Sequence, residues 1–266
     1  FKKLTINFYQ MKISKCRICS SKKFSKLFSL GKQSFTGKFP NFLHHKIAKD
    51  YINLIMCNKC KLVQLDRNFN PNFLYGKDYG YRTGINSTMS NHVKFVANEA
   101  VKISRPKQED YILDIASNDG TLLNSYGSRF VKVGIDPLVN KYKKFYKKID
   151  HKISNFFTLK NLKKYKLHKK YKVITALSMF YDLKDPNSFI KDIKKILHED
   201  GIFILEHADL LSILKYSLFD TICHEHLEYY SSKIIIKLMK KNKLRVFDIK
   251  NSKINGGSTR YFIAHN

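Results

Sequence analysis

The chain has 266 residues, 43% of them hydrophobic, and a formal net charge of +29. That length suits one large domain or a domain with a small module, and the apolar share supports a sizeable core, yet no apolar run approaches the roughly 18–20 residues that span a membrane. The charge is mostly lysine scattered along the chain beside many Asn and Ile, densest at 141–148 and 163–172 and without an Arg-rich stripe. A nucleic-acid footprint is therefore discounted in favour of a solvated basic surface that suits an anionic small molecule.

Phe1 is not an initiator, and Met11 opens the run Met-Lys-Ile-Ser-Lys-Cys, so residues 1–10 read as a tag or an upstream extension. Two Cys-x-x-Cys pairs follow, Cys16/Cys19 and Cys57/Cys60. Such a turn lets two thiolates reach one ion at about 2.3 Å, and two turns complete a closed tetrahedral site of the structural zinc type. Nothing before Lys15 has the apolar run and cleavage site of a secretory signal. A reducing, cytoplasmic setting follows, which favours zinc over the alternatives of disulfides or redox chemistry. Strand-like runs at 24–30, 51–56 and 62–65 feed the two knuckles. Residues 12–65 are thus predicted to form a small zinc-binding β module, which loss of one thiolate should unfold largely by itself.

Residues 66–104 join this module to the rest. A loop rich in Tyr, Gly, Asn and Asp contains Tyr79 and Tyr81, and 86–104 has helical spacing, with Met89, Val93, Val96, Ala97, Ala100 and Val101 on one side. From 105 to 266 strands and helices alternate. Strands are predicted at 111–115, 131–135, 149–153, 171–177 and 202–206, and helices at 121–126, 141–148, 159–165, 186–197 and 232–241. Runs 244–249 and 258–263 suit a closing antiparallel pair around Asn255-Gly256-Gly257. The alternation predicts an α/β domain with a parallel, doubly wound sheet.

Ligands of such sheets bind outside the carboxyl ends of the strands. The first strand ends near Asp114 and runs into the turn Ala116-Ser117-Asn118-Asp119-Gly120; the second ends at Asp136, 22 residues after Asp114. An acidic residue about 20 positions on is placed to hold ribose hydroxyls. The turn lacks two glycines of the dinucleotide fingerprint, so it suits a smaller nucleoside ligand better than a pyrophosphate.

The run Ile112-Leu-Asp-Ile-Ala-Ser-Asn-Asp-Gly-Thr-Leu-Leu123 resembles motif I of S-adenosylmethionine-dependent methyltransferases. From Cys16 to Ile263 the chain is similar to the sugar C-methyltransferases that act on nucleotide-linked keto-deoxysugars. The resemblance rests on the cysteine pairs, the loop around Tyr79 and Tyr81, the run Met179–Pro186, the block Asp220–Ser231 with His224-Glu225-His226, and Asn255–Arg260. It implies a Rossmann-like methyltransferase sheet with the zinc module ahead of it, S-adenosylmethionine as cofactor, structural zinc, and a nucleotide-sugar substrate. The cofactor site would comprise Asp114, Ala116, Ser117, Asn118, Gly120, Asp136 and Pro137, with Asn155 and Phe156 flanking the adenine. Ala116 departs from the family, which usually has Gly there. Family members also carry a further C-terminal α/β domain, so the chain reads as a fragment.

In extended backbone His224 and His226 would point one way and Glu225 the other. Metal ligation lacks an evident third ligand, and a polar cap for the helix near Ser231 is the plain alternative. Acid–base chemistry fits best, because imidazole titrates near neutrality. By resemblance, His226 is the base that removes a proton beside a sugar ketone, Glu225 orients it or the substrate, and Tyr79 or Tyr81 donates a hydrogen bond. An RNA methyltransferase and a cofactor-binding fragment without turnover are the competing expectations.

Overall fold

Among the described residues a seven-stranded sheet, a four-stranded sheet and one two-stranded pairing organise the chain. The structure is a computed structural model that describes residues 11–38, 42, 46–76 and 78–266; the expectation for residues 1–10 lies outside them. In the first part β1 (Met11–Lys12), β2 (Phe24–Ser34), β3 (Lys49–Cys57), β4 (Val63–Leu65) and β5 (Arg67–Asn68) precede the short helix α1 (Pro71–Leu74). Strand β3 alternates in its first half, burying Asp50, Ile52 and Leu54, as a half-covered strand does. Helix α2 (Ser87–Ser104) starts at Asn86, whose side chain accepts from the backbone N–H groups of Thr88 and Met89 at 2.8 and 3.3 Å. It buries Val93, Val96, Ala97 and Ala100.

The second part contains β6 (Tyr111–Ile115), α3 (Thr121–Asn124), β7 (Val131–Ile135), α4 (Val139–Tyr142), β8 (His151–Ile153), α5 (Leu159–Lys164), β9 (Tyr171–Leu177), α6 (Pro186–Ile196), β10 (Leu197–Ala208), α7 (Leu210–Lys215), β11 (Glu228–Tyr229), α8 (Ser232–Lys241), β12 (Leu244–Ser252) and β13 (Ser258–His265). Seven of these strands form one sheet in the order β12-β13-β10-β9-β6-β7-β8. Its pairings from β8 through β10 are parallel, and β13 runs antiparallel to both β10 and β12. The central strands are buried on both faces, and successive residues enter different cores. Leu113, Ile115, Val133, Ile135 and Ile174 pack on the α6 and α8 side, whereas Ile112, Val173, Ile204 and Phe262 pack on the α2 side. The first of these cores also takes in Ile18, Phe35, Ile52 and Leu54, so the cysteine module shares a core with the large sheet.

The small sheet has the order β11-β4-β3-β2. Strand β11 therefore returns from far down the chain to pair with β4, Glu228 opposite Gln64 and Tyr229 opposite Val63. The helix expected at 141–148 is shorter than its pattern: α4 ends at Tyr142, and one 3-10 turn follows. The cause is Tyr146, buried beneath the turn after β6, where its hydroxyl meets Ser117 Oγ and the Asn118 carbonyl, each at 2.8 Å. The His224–His226 block is bent rather than extended, so its side chains do not alternate as a strand's would.

Candidate active site and metal centre

The two cysteine knuckles are built alike. Cys16 N–H donates to Ser21 O and Ser20 N–H to Cys16 O; Cys57 N–H donates to Leu62 O and Lys61 N–H to Cys57 O. Ser20 and Lys61, the residue after each pair, both turn left-handed, at φ 59° and 66°. The four Sγ atoms lie within 4.8 Å of one another, with Cys16–Cys60 at 3.6 Å and Cys19–Cys57 at 3.5 Å. A zinc tetrahedron with bonds of about 2.3 Å has edges of about 3.8 Å, so the donor set fits zinc. The same separations are far from a disulfide of about 2.05 Å, and all four thiols are free.

Between the first two cysteines, Arg17 is buried. Its guanidinium donates to the carbonyls of Leu65, Arg67 and Leu227 at 2.9, 2.8 and 3.3 Å and to Asn68 Oδ1 at 2.7 Å, and it lies 3.6 Å from Glu228 Oε1. Burial pushes the Glu228 carboxyl well above the carboxylate range, and Arg17 pulls it back. Asn187, in the first turn of α6, donates to the carbonyls of Arg17 and Ile18. The knuckle is thus tied to β4, β5, β11 and α6 through one arginine and one asparagine.

A cavity of about 440 Å³ opens at the carboxyl ends of β6, β7, β9 and β10. Asp114, Ala116, Ser117, Asn118, Asp136, Pro137 and Phe156 line it, as do Met89, His92, Leu138 and Glu206. Gly120 and Asn155 are not among its lining residues. Gly120 serves the turn instead: at φ 76°, a side chain there would meet Tyr146 and Ile149. Ala116 has φ 57°, a left-handed conformation that an L-residue adopts at a cost of about 1–2 kcal/mol. Asp136 Oδ1 accepts from Leu138 N–H at 2.6 Å and Oδ2 from Asn118 N–H at 3.0 Å, which leaves each oxygen one lone pair. Burial raises its carboxyl to about 6 and that of Asp114, which accepts from Thr175 Oγ1 at 2.6 Å, to about 7.

The side chain of Asn118 is committed elsewhere. Its Oδ1 accepts from Thr83 N–H at 2.9 Å and its Nδ2 donates to Tyr81 O at 3.2 Å. Asp119 Oδ2 accepts from Gly84 N–H at 2.9 Å, and the Tyr142 hydroxyl donates to Tyr81 O at 2.9 Å. The turn after β6 therefore anchors the tyrosine loop over the cavity.

A second cavity, of about 380 Å³, adjoins the first, and the two share Tyr75, Tyr79, Tyr81, Ser178 and Asp182. Glu225, His226, Thr221 and Asn255 line only the second. His226 Nδ1 is 2.7 Å from the Thr221 carbonyl, which can only accept, so Nδ1 is a donor and, in the neutral ring, Nε2 is the nitrogen that keeps its lone pair. The ring packs on Tyr181 with centroids 4.1 Å apart. Glu225 Oε2 accepts from Thr36 Oγ1 at 3.1 Å while Oε1 has no partner among the described residues. His224 turns away: fully buried, it lies with Nε2 3.2 Å from the Asp50 carbonyl and packs on Phe35 and Phe69. Because a carbonyl only accepts, His224 Nε2 is the donor there, and the residue belongs to the core of the small module.

A profile described as a methyltransferase domain matches residues 78–248. The chain belongs to this methyltransferase family. A zinc binding domain profile matches residues 16–75. The methyltransferase is 24% identical over 258 residues to the C-methyltransferase NovU of Streptomyces niveus; the alignment covers 95% of the chain and 61% of that relative, so the chain spans less than two thirds of its length. Among solved structures, the magnesium protoporphyrin IX methyltransferase ChlM of Synechocystis, with bound S-adenosylhomocysteine, superposes with a TM-score of 0.51 at 14% identity, covering 72% of this chain and 91% of that one. The PH0226 protein of Pyrococcus horikoshii does so at 0.53 and 13%, covering 70% and 95%. These likenesses bear on the fold, that of the S-adenosylmethionine-dependent methyltransferases.

S-adenosylmethionine is the cofactor of this methyltransferase fold, and the larger cavity fits it. It has the volume of a small-molecule site, a carboxyl with two free lone pairs at the end of β7, and apolar walls from Met89, Leu122, Leu138, Phe156 and Leu177. The cysteine cluster holds structural zinc. Sequence reading missed one polar group on the cavity wall. Glu206, at the end of β10, accepts from His92 Nε2 at 2.5 Å and from Arg260 Nε at 2.7 Å, and Arg260 Nη1 donates to Glu99 at 2.6 Å. Burial opposes the Glu206 charge, but His92 and Arg260 outweigh it and hold the carboxyl below its usual range. His92 sits on the buried-facing side of α2 among apolar neighbours, three residues after Met89; that lone polar residue in the stripe was the available signal.

Proposed function

We propose that the chain transfers a methyl group from S-adenosylmethionine to a carbon of a nucleotide-linked keto-deoxysugar. The observation that carries this reading is His226, whose Nδ1 is tied to the Thr221 carbonyl so that Nε2 is the accepting nitrogen of the neutral ring, in a cavity that shares a wall with the larger one. A carbon acceptor needs a base, because its proton must leave before it can act as a nucleophile. The likeness to a C-methyltransferase supports the same choice.

In this reading Asp136 holds the ribose hydroxyls with its two remaining lone pairs, and the backbone of Asp114–Ser117 faces the methionine end. Phe156 lies against the adenine. The cofactor supplies an electrophilic methyl on a sulfonium. His226 takes the proton from the carbon beside the ketone, and its Nδ1–H bond to Thr221 steadies the ring as charge develops. Glu225, held by Thr36, contacts the sugar with its free oxygen. Tyr79 and Tyr81 close the shared wall, and their hydroxyls donate to the acceptor; burial keeps both phenols protonated. The small module acts as a scaffold: its Thr36–Gly37 turn supports Glu225 from below.

The test is His226→Asn. Cofactor affinity should be unchanged by calorimetry, while exchange of the ketone's α-proton with deuterated solvent, measured without methyl donor, should fall by about two to four orders of magnitude. Undiminished exchange in this variant would remove His226 as the base.

A further inference from the structure

We propose that Asp182, backed by Tyr75, donates the hydrogen bond that holds the acceptor's carbonyl oxygen and receives the charge when the adjacent carbon is deprotonated. The assignment rests on the ketone reading above. Asp182 closes the 3-10 turn Phe180–Asp182 after β9, and its N–H donates to Met179 O at 3.0 Å, so its side chain is set by the carboxyl end of the central sheet. It is one of five residues that line both cavities. A group on that shared wall faces the place where methyl donor and acceptor meet.

Its hydrogen bonding is incomplete. Oδ1 of Asp182 and the hydroxyl of Tyr75 are both buried without a well-formed hydrogen bond among the described residues, and the two side chains lie close enough for the phenol to act on the carboxyl as a donor. Oδ2 has no hydrogen-bond partner among them either. Buried polar groups are nearly always satisfied, so such a pair calls for a ligand. The groups around the carboxyl include Tyr75, Tyr79, Tyr181, Cys223, Glu225 and His226, with Glu228, Tyr229 and Tyr230 also within its electrostatic reach. Burial lifts the Asp182 carboxyl well above the carboxylate range; His226 opposes that shift, and Cys223 and Glu225 reinforce it. A carboxyl that keeps its proton is a donor. With the Tyr75 phenol on one side of the carboxyl and the cavities on the other, we place the proton on the oxygen that faces the cavities.

The step balances without another reactant. His226 Nε2 takes the α-proton, the C–H electron pair becomes the C=C bond of the enolate, and the carbonyl π pair moves to oxygen. That oxygen gains strength as an acceptor while Asp182 keeps its proton. A preorganised donor aimed at developing oxyanion charge contributes about 10²–10³ in rate. The arrangement selects a ketone over an amine or alcohol acceptor, because only a ketone places acceptor charge on an oxygen next to the reacting carbon.

The probe is a nucleoside diphosphate-linked 4-keto-deoxyhexose carrying ¹³C at the carbonyl, bound to the whole chain. The C=O stretch should move to lower wavenumber on binding to the wild type. Asp182→Leu should abolish that displacement and slow α-proton exchange about 10²–10³-fold. Asp182→Asn, whose amide still donates, should keep a displaced stretch and exchange faster than the leucine variant by at least tenfold. Cofactor affinity reports folding in each variant. Wild-type stretch and exchange in Asp182→Leu would overturn the assignment alone. Asparagine behaving as badly as leucine would overturn the donor role. A wild type that neither displaces the stretch nor exchanges the proton would sink the ketone reading and this assignment together.

Discussion

Replacing Asp136 tests the cofactor site most directly. The carboxyl already accepts two backbone N–H groups, from Leu138 and Asn118. In Asp136→Asn one oxygen remains to accept, while the new NH₂ meets a donor on one side and a ribose hydroxyl on the other. The loss is a charge-assisted pair of hydrogen bonds, about 1.5–3 kcal/mol, or about a 10- to 150-fold weaker affinity for S-adenosylmethionine by calorimetry. The pH dependence sharpens the test. Burial raises the carboxyl to about 6 in the folded chain, against an ordinary value near 4. The folded state therefore favours the protonated form, and Asp136 contributes stability below pH of about 4 that is lost as pH rises to about 6. Ribose hydroxyls donate to the ionised form, so binding works in the opposite sense. Affinity should weaken as pH falls through about 6, by up to tenfold per unit, and the asparagine variant should lose this pH-dependent component. Unchanged affinity in Asp136→Asn at pH 7.5 would refute the assignment of Asp136 to the ribose.

Three further outcomes follow from the scaffold. The purified chain should contain about one zinc, and Cys57→Ser or chelation should lower a single cooperative transition for the whole chain by circular dichroism; a separate early transition for the first 65 residues would show that β11, Arg17 and Asn187 do not couple the module to the rest. Arg17→Met should destabilise by about 1–3 kcal/mol in denaturant titration, because it strips the donors from the buried carbonyls of Leu65, Arg67 and Leu227, and adding Glu228→Gln should recover little, because burial already favours the protonated Glu228 carboxyl; a large recovery would mean that the arginine acts chiefly as a counter-charge to Glu228. Ala116→Gly should relieve left-handed strain and raise Tm by about 2 °C, with cofactor affinity retained; a lower Tm would show that the alanine methyl packs favourably.

The parts of the fold that were readable in advance are those fixed by local pattern. Strands β6, β7 and β9 appear with their predicted limits, since each is a short apolar run bounded by turn residues and buried on both faces. Helix α6 was readable because Asp185 caps it, Pro186 opens it and Phe189, Ile190, Ile193 and Ile196 share one face. The same logic fails for α7. Asp209 caps it by accepting from Ser212 N–H, but Leu211 and Leu214 are 70% exposed and only Ile213 is buried, so the apolar residues mark no inner face.

What stayed hidden depends on distant partners. Two residues cannot announce a strand, and β11 exists because β4 offers Glu228 and Tyr229 an open edge. The bend at His224–His226 follows from that pairing: β11 fixes the chain just downstream, Leu227 N–H donates to Tyr181 O at 2.7 Å, and His224 is drawn among Phe35 and Phe69 of the small module. Two histidines two residues apart thereby enter different environments, one a core and the other a cavity. The same long-range order explains why Asn118, read in sequence as a cofactor residue, lines the larger cavity while its side chain, with Asp119 beside it, holds the tyrosine loop. A turn that shapes the floor of one cavity also positions Tyr81 on the wall shared with the next, so both cavities depend on a single turn. Any substitution at Asn118 should therefore move both sites at once, weakening cofactor binding and proton exchange in parallel, whereas substitutions at Asp136 or His226 should separate them.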